Sequence, residues 1–464
     1  MTSEPKLSGA PTTRPGPTPP REYRFPSFER RVLQNGITLI VAPIDKLPVV
    51  TVLALVDAGA GVEDQGKFGV ASLVARLLTE GAGALDGEAL AERLERIGAS
   101  VEAHADWDVS SVSLTALSRD LAEALQLVRD MLCAPTFPER EVERLKAERL
   151  ADLLQQLAEP RGLADEQFSA LVYEQGARYA APEGGSADSV RDLTRDDVQA
   201  FYERQFRPAN TTLIFAGDVE INSVQHLVDG LFGNWSGSRS ESVRAGIDAA
   251  PPGKALRIVP KSDAPQSEIR VGHVGLTRNI PDYFDTMVMN AVLGGLFSSR
   301  INLNLREVHG YTYGASSQFE WRRANGPFMI HTAVKSEVTG DAVREILGEI
   351  ERIRGAEIGE EELTLATSYL DGVFPIRYET TAAIASALAT LVIHQLPPDY
   401  FDTYRTNVRA VTTRSVLEAA RARLHPDNLR VVVVGDDAVI SAPVAEVLGI
   451  TPENMTIDSG ARTA

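Results

Sequence analysis

The chain has one cysteine, Cys133, among its 464 residues, so it forms no intramolecular disulfide. It also lacks any apolar run approaching the ~20 residues that a membrane-spanning helix needs. Basic residues are scarce: 46 Lys and Arg stand against 64 Asp and Glu, a formal net charge of -18. Because clustered Lys and Arg bind phosphate groups, this deficit argues against nucleic acid and membrane surfaces as partners. The cysteine count is typical of a reducing compartment, and we predict a cytoplasmic location, or a periplasmic one if a signal peptide has been removed.

Local catalytic motifs are missing as well. None of the seven histidines has a second histidine four residues away, the spacing that places two imidazoles on one helix face as zinc ligands. There is no G-x-S-x-G turn for a nucleophilic serine. The segment GVEDQGKF, residues 61–68, approaches the phosphate-binding pattern G-x-x-x-x-G-K-[ST], but Phe68 replaces the hydroxyl residue that would hold magnesium. We interpret this segment as a Gly-rich turn between a strand and a helix.

What the chain does have is a globular composition, with 44% hydrophobic and 24% charged residues, and an internal repeat. Five residues recur at one constant spacing: Phe206, Pro208, Asn210, Gly217 and Asp218 correspond to Leu424, Pro426, Asn428, Gly435 and Asp436. A threonine-capped amphipathic helix leading into an apolar strand accompanies each copy. We therefore predict two homologous domains, 23–236 and 254–464, which follow a disordered Pro-rich tail (1–22) and are joined by a Gly/Ser/Pro-rich linker (237–253).

The order of elements indicates the fold class. Apolar or alternating segments predict strands over 49–56, 100–105 and 110–117, and helical periodicity predicts helices over 69–80 and 139–157. Strands and helices are interspersed without a regular βαβ order. We therefore predict an α+β fold in which each domain has a mixed or antiparallel sheet backed by helices, rather than a doubly wound parallel sheet.

One long segment carries a family resemblance. Residues 294–317, GGLFSSRINLNLREVHGYTYGASS, resemble the second-domain signature of the pitrilysin/insulinase zinc metallopeptidases. The chain is most similar in organisation to members whose two-domain chains work as pairs, like the mitochondrial processing peptidase. Further similarities are NGITL from Asn35, FRPAN from Phe206 and FPIRYET from Phe374. The resemblance covers nearly the whole chain after the tail and implies the metallopeptidase fold shared by LuxS and the processing peptidase.

The resemblance also implies that the zinc site is degenerate. Active members carry H-x-x-E-H on the first helix and an acidic third ligand further along the chain. Here the matching helix reads GVASLVARLLTEG, so Ser72, Ala75 and Arg76 replace the first His, the Glu and the second His. Asp152 matches the third ligand, but one carboxylate cannot hold catalytic zinc alone, so the simpler interpretation of Asp152 is a helix-surface acid. Ala75 cannot act as a general base, and Arg76 would place a permanent cation where zinc sits. We expect no metal and no cofactor in this chain, and no peptidase activity of the chain alone.

A second pair of functional positions is retained, as Arg306 and Tyr313. In the family these residues reach toward the zinc site of the facing half and hydrogen-bond the substrate carbonyl, a role suited to a guanidinium and a phenol. On residue type alone, the simpler interpretation is an exposed helix-end charge and a strand residue that packs its ring. Within so specific a motif, the functional interpretation is favoured.

The resemblance further assigns the strand at 100–105 to peptide binding. Extended peptides would add to its edge, which here comprises Ser100, Val101, Glu102 and Ala103. Such addition needs only free backbone groups, so it does not depend on zinc. The alternative, a plain sheet edge, is equally consistent with the sequence.

These observations support two hypotheses from different classes. In the first, the chain is the non-catalytic subunit of a heterodimeric zinc metalloendopeptidase, paired with a homologous subunit that bears H-x-x-E-H and the zinc. It closes a chamber around extended peptides and supplies Arg306 and Tyr313 to the partner's site. In the second, it is a structural or peptide-binding scaffold, like the family's core subunits in respiratory complexes. Retention of Arg306 and Tyr313 favours the first, because a scaffold has no evident need for the pair.

Overall fold

The computed structural model describes residues 22–240, 249–451 and 455–457. These residues form two sheet-and-helix domains, each built on a six-stranded mixed sheet, and this confirms the predicted α+β class. Residues 1–21 of the predicted tail and residues 241–248 of the predicted linker lie outside the described residues.

The first sheet has the strand order β1-β2-β8-β3-β7-β6, and a two-stranded ribbon, β4-β5, lies apart from it. Only β2 and β8 pair in parallel; the other pairs of this sheet are antiparallel. The strands are β1 Glu29–Val32, β2 Thr38–Pro43, β3 Val49–Val56, β4 Gly81–Ala82, β5 Leu85–Asp86, β6 Ser100–Ala105, β7 Ser110–Leu117 and β8 Thr211–Gly217. The helices of this half are α1 Val70–Leu77, α2 Gly87–Arg96, α3 Leu121–Cys133, α4 Glu139–Ala158, α5 Pro160–Val172, α6 Ala187–Arg191, α7 Arg195–Gln205 and α8 Ile221–Phe232.

The second sheet has the strand order β11-β12-β10-β13-β9-β14, with β9 parallel to both of its neighbours and the other pairs antiparallel. Its strands are β9 Ala255–Pro260, β10 Gln266–Val274, β11 Ala315–Phe319, β12 Pro327–Lys335, β13 Arg430–Gly435 and β14 Met455–Ile457. The helices are α9 Tyr283–Asn290, α10 Arg300–Asn302, α11 Thr339–Gly355, α12 Glu360–Arg377, α13 Thr381–Ile393, α14 Tyr400–Ala410, α15 Thr413–Arg423 and α16 Asp437–Leu448. Two π-helical turns, Ala291–Gly295 and Leu303–Val308, lie on either side of α10.

The sequence repeat corresponds to a structural repeat. Helix α7 leads through a 3₁₀ turn into β8, and α15 leads through an equivalent turn into β13. Thr194 and Thr412 cap the two helices, each accepting a hydrogen bond from the backbone of the third helical residue. The strands predicted over 49–56, 100–105 and 110–117 coincide with β3, β6 and β7. Helix α1 is shorter than the predicted 69–80.

The two domains exchange a helix. Helix α5, from the first half, packs on β10 and β13 of the second sheet, whereas α13, from the second half, packs on β3 and β8 of the first sheet. The buried Phe168 of α5 accordingly shares an apolar cluster with Val432 and Val434 of β13. Each sheet thus buries one face against a helix of the other half, and hydrophobic burial holds the two domains in one arrangement.

In the described part of the chain, no single helix is long and apolar enough to cross a membrane. Helices α12 and α13 together are long and apolar enough, but the chain bends by 117° at the break between them.

Candidate functional site

The positions that the family resemblance matches to zinc ligands, called the degenerate site below, lie where α1 packs against α4. Ser72 and Arg76 of α1 line a small closed space together with Lys146 and Arg149 of α4. Ala75 is wholly buried in the core. The space measures about 10 Å³, which is at the lower limit for a single water molecule. The site is therefore filled by the protein's own side chains.

Three cationic side chains surround this space, and each has a local partner. Arg76 donates to Glu148 at 2.6 Å, and Lys146 lies 3.0 Å from Glu143. Arg149 donates through Nε to the Gly184 carbonyl at 3.2 Å. Among the residues that the structure describes, no three His, Cys, Asp or Glu side chains are grouped so that they could hold a metal ion. Positive charge at these positions opposes the binding of Zn²⁺.

Helix α4 contributes Leu145, Lys146 and Arg149 to this space, and not Asp152. Asp152 is exposed and does not line the space, although its carboxylate is near enough to raise the pKa of Arg149, which burial lowers. Arg149 is not among the residues predicted from the sequence. A signal for it exists, because Arg149 falls on the helical stripe of the buried residues Val142, Leu145 and Leu153.

The start of α1 is closed by a buried ion pair. The Glu63 carboxylate accepts hydrogen bonds from the backbone amides of Gly69, at 3.1 Å, and Ala71, at 2.8 Å, and it pairs with Arg178 at 2.8 Å. Burial raises the pKa of the Glu63 carboxyl to about 7, against the opposing effects of the Arg178 guanidinium and the two amides. Lys67, for its part, pairs with Asp197 at 2.9 Å. The amides and the lysine that a phosphate loop would offer are thus engaged, which agrees with the interpretation of 61–68 as a turn.

Arg178 also fixes the loop that covers the degenerate site. Its guanidinium lies 4.7 Å from the ring centroids of both Phe68 and Trp107. It donates to the carbonyl oxygens of Pro182 at 3.0 Å and Glu183 at 2.6 Å. The next residue of this loop accepts the hydrogen bond from Arg149. The buried Arg178 thus connects the start of α1 with the loop 182–184, which covers the degenerate site and is called the lid below.

Arg306 and Tyr313 lie on the surface of the second domain. Arg306 belongs to the π-helical turn Leu303–Val308, with its guanidinium 4.6 Å from the ring centroid of Phe297 and 3.4 Å from Glu307. Tyr313 follows in an irregular segment and is 93% exposed. Its hydroxyl makes no hydrogen bond within the described residues. The structure does not support a strand-packing role for this ring.

Phe297 links the two residues, although it is not among the residues predicted from the sequence. Its ring is 71% exposed, stacks on Arg306, and lines a groove together with Tyr313. The Asn302 side chain ties the two segments together, donating to the Phe297 carbonyl at 2.6 Å and accepting from the Ala315 amide at 3.0 Å. The backbone beneath this surface is therefore held by hydrogen bonds, whereas the Phe297 and Tyr313 rings face solvent.

The groove beside Tyr313 has a volume of about 510 Å³. Its floor is formed by the outer face of β11 and β12, where Ser316 lies 2.8 Å from Nε2 of His331. Burial, with a further effect from nearby arginines, lowers the pKa of His331. The groove is therefore lined by the polar side chains of Ser316 and His331, by the charged Arg161 and Glu268, and by an exposed aromatic wall.

The predicted peptide-binding strand is an edge strand. Among the described residues, β6 pairs only with β7, and its Ser100 and Glu102 are exposed while Val101 and Ala103 turn toward the core. The edge closes just beyond β6, because the Ala60 amide donates to the Asp106 carbonyl at 2.8 Å. The strand offers a short length of open backbone.

The fold and the motif at 294–317 define a two-domain protein of the metallopeptidase class. A family model described as "Insulinase (Peptidase family M16)" matches residues 40–178, and one described as "Peptidase M16 inactive domain" matches residues 192–370. The chain belongs to the pitrilysin/insulinase (M16) family.

Curated relatives and solved structures agree with this assignment. The chain is 20% identical over 372 residues to an uncharacterized zinc protease of Streptomyces coelicolor, covering 79% of this chain and 81% of that one. It is 24% identical over 364 residues to one of Mycobacterium bovis, covering 77% and 82%. A crystal structure described as a peptidase M16 inactive domain from Pseudomonas fluorescens superposes with a TM-score of 0.83 at 24% identity, covering 88% of this chain and 98% of that one. A chain of complex III2 from Candida albicans superposes with a TM-score of 0.75 at 15% identity, covering 90% and 99%.

Proposed function

We propose that this chain is the non-catalytic subunit of a heterodimeric zinc metalloendopeptidase. Its partner is a homologous chain that carries H-x-x-E-H and holds the zinc, and the two chains enclose extended peptides between them. Arg306 and Tyr313 act in the partner's site, where they donate hydrogen bonds to the carbonyl oxygen of the scissile peptide bond as negative charge develops on it. This chain by itself hydrolyses no peptide.

The observation that carries the proposal is the exposure of Tyr313 beside a supported Arg306. A phenol with no hydrogen bond within the described chain and a guanidinium held on an aromatic ring are two donors available to another molecule. The degenerate site also supports a non-catalytic role. Cationic side chains and the loop at Gly184 line the space beside the positions that match zinc ligands, so the zinc of the complex would be held by the partner. Edge strand β6 supplies backbone groups to which an extended peptide can add.

The test begins with the chain isolated together with its native partners under mild conditions. Mass spectrometry identifies the partners, and zinc content and peptide hydrolysis are measured for the complex and for the separated chain. We expect a 1:1 partner with H-x-x-E-H, and zinc and activity only in the complex. An assembly without any such partner would instead favour the scaffold hypothesis, for which the complex III2 chain is a precedent of fold.

Substitutions in the complex test the role of the two donors. Arg306→Ala and Tyr313→Phe each remove a donor to the developing oxyanion, and we expect turnover to fall on the order of 10²-fold, with assembly unchanged. Arg414→Ala is the matched control, since Arg414 is an exposed arginine on α15 paired with Glu418. Unchanged hydrolysis by both donor variants would refute the assigned role.

A further inference from the structure

Helix α12 exposes an apolar stripe that nothing in the described chain covers. Leu365, Tyr369 and Ile376 are 51%, 50% and 64% exposed, and Gly372 lies between the last two. These four residues follow one another at intervals of four, three and four, so they share one face of the helix. The opposite face packs into the core through Leu363, Ala366, Leu370 and Phe374. Isolated exposed apolar residues are ordinary, but an aligned set on one helix is typical of a contact surface.

We propose that this stripe, Leu365–Tyr369–Gly372–Ile376, is the contact surface for the same helix of a second copy of this chain, packed antiparallel about a two-fold axis. A two-fold interface requires a surface that is complementary to itself. The stripe has this property, because its residues are placed symmetrically about the midpoint between Leu370 and Asp371. Antiparallel pairing therefore brings Leu365 against Ile376 of the second copy and Tyr369 against Gly372.

The glycine provides the space that this pairing needs. A Cβ atom added to Gly372 would have no atom within 4 Å, so the backbone there faces open space. A tyrosine ring from the second copy can lie on that bare backbone, and the two-fold axis repeats the contact. Small residues at such positions allow two helices to approach closely. A larger residue at 372 would meet the ring and push the helices apart.

Charge selects the antiparallel direction. Glu360 and Glu361 lie in the first turn of α12 and Arg377 at its end, and none of the three forms an ion pair within 22–240, 249–451 and 455–457. Antiparallel packing places the acidic first turn of one copy beside Arg377 of the other, and it also opposes the two helix dipoles. Parallel packing would place like charges together. Charge complementarity thus points to a second copy rather than to a helix of unrelated sequence.

The length of the stripe sets the strength of the contact. Its residues extend over roughly 16 Å of helix, at about 1.5 Å per residue. An interface of that size is at the small end for specific complexes, which bury roughly 1,200 Å² or more. We therefore expect a reversible dimer whose population rises with concentration. The dimer contact does not depend on the proposed proteolytic role, so a negative result for one leaves the other unaffected.

Sedimentation of the full chain over a range of concentrations tests the proposal. We expect a monomer–dimer equilibrium that Tyr369→Arg and Gly372→Leu each shift at least tenfold toward monomer. Val32→Arg is the matched control, because Val32 is an exposed apolar residue on the edge strand β1 of the other sheet. A monomer at every concentration would overturn the proposal, as would a dimer that neither α12 variant weakens.

Cross-linking tests the direction of packing. The double variant Leu365→Cys with Ile376→Cys should form a disulfide-linked dimer under mild oxidation, whereas each single variant should not. The two positions are too far apart on one helix to link within a chain. Efficient cross-linking of the single variants would overturn the antiparallel register.

Stripe-dependent binding to zwitterionic lipid vesicles by a chain that stays monomeric would show that a membrane surface, and not a second copy, covers α12.

Discussion

The first-helix site and the Arg306/Tyr313 surface are the two regions that the family resemblance matches to catalytic positions, and both contain arginine. In the first, each cation has a partner on its own helix, across the contact of α1 with α4, or in the loop at Gly184, and the space between them is about 10 Å³. In the second, the arginine is held on an exposed ring and the tyrosine has no hydrogen bond within the described chain. The cations of the first site are bound by partners within the chain, whereas the donors of the second site are available to another molecule. The first-helix region is therefore packed by the chain's own side chains and is not an empty pocket.

The largest expected change is zinc binding by a first-helix site that is given the family's ligand residues. The triple variant Ser72→His, Ala75→Glu, Arg76→His should bind no zinc, because Lys146 and Arg149 leave two cations at the site and α4 supplies no inward carboxylate or imidazole. Adding Arg149→Glu should produce one bound zinc per chain, measured by elemental analysis after dialysis. Asp152→Asn in that background should leave the zinc in place. Zinc binding by the triple variant, lost on Asp152→Asn, would instead identify Asp152 as the α4 ligand.

Breaking the cap of α1 should cost the most stability. Arg178→Ala leaves the Glu63 carboxylate buried without its cation, and we expect a loss of about 3–5 kcal/mol in the free energy of unfolding. Denaturant titration measures this loss. Arg204→Ala, which breaks the nearby exposed pair with Asp64, should cost less than about 1 kcal/mol. Equal effects of the two substitutions would contradict the structural role of Arg178.

The lid over the degenerate site predicts a pH dependence. Burial raises the pKa of the Glu183 carboxyl to about 7 from 4.5, with further raising by Asp106 and lowering by Arg322. The folded chain therefore holds more protons than the unfolded chain between these values, so this contribution to stability is full below pH 4.5 and is lost as the pH rises to 7.

Glu183→Gln tests this contribution, because the amide mimics the protonated carboxyl. We expect the variant to be more stable than the wild type by about 1–3 kcal/mol at pH 8, and to show no such gain at pH 4. Urea titrations at the two pH values measure the difference. A gain that is the same at both values would mean that Glu183 does not titrate in this range.

Removing the exposed donors should have the smallest effect on stability. Tyr313→Ser and Arg306→Ala alter groups at the surface, and we expect each to change the free energy of unfolding by less than about 0.5 kcal/mol. Thermal unfolding of the isolated chain provides the measurement. A large destabilisation by either substitution would show that the second-domain surface is structural and would remove the contrast with the first-helix site.

Local sequence patterns were sufficient for the regular elements. Alternation and apolar runs located β3, β6 and β7, since a strand with one buried face repeats every two residues. The repeat located α7 and β8 together with α15 and β13, because the same threonine cap and glycine recur in both. Neither pattern reports which helix covers which sheet. The exchange of α5 and α13 therefore emerges only from the packed structure.

The sequence by itself determined the α+β class and the repeat, and its family resemblance supplied the prediction that Ser72, Ala75 and Arg76 replace zinc-site residues while Arg306 and Tyr313 are retained. Only the tertiary structure decided that Arg149 lines the former metal site, that Glu63 pairs with Arg178 far along the chain, and that Tyr313 has its ring in solvent. The physical reason is that motifs and periodicity are local properties of the chain. Burial, ion pairing and exposure depend instead on residues that are distant in sequence and meet only when the sheets and helices pack.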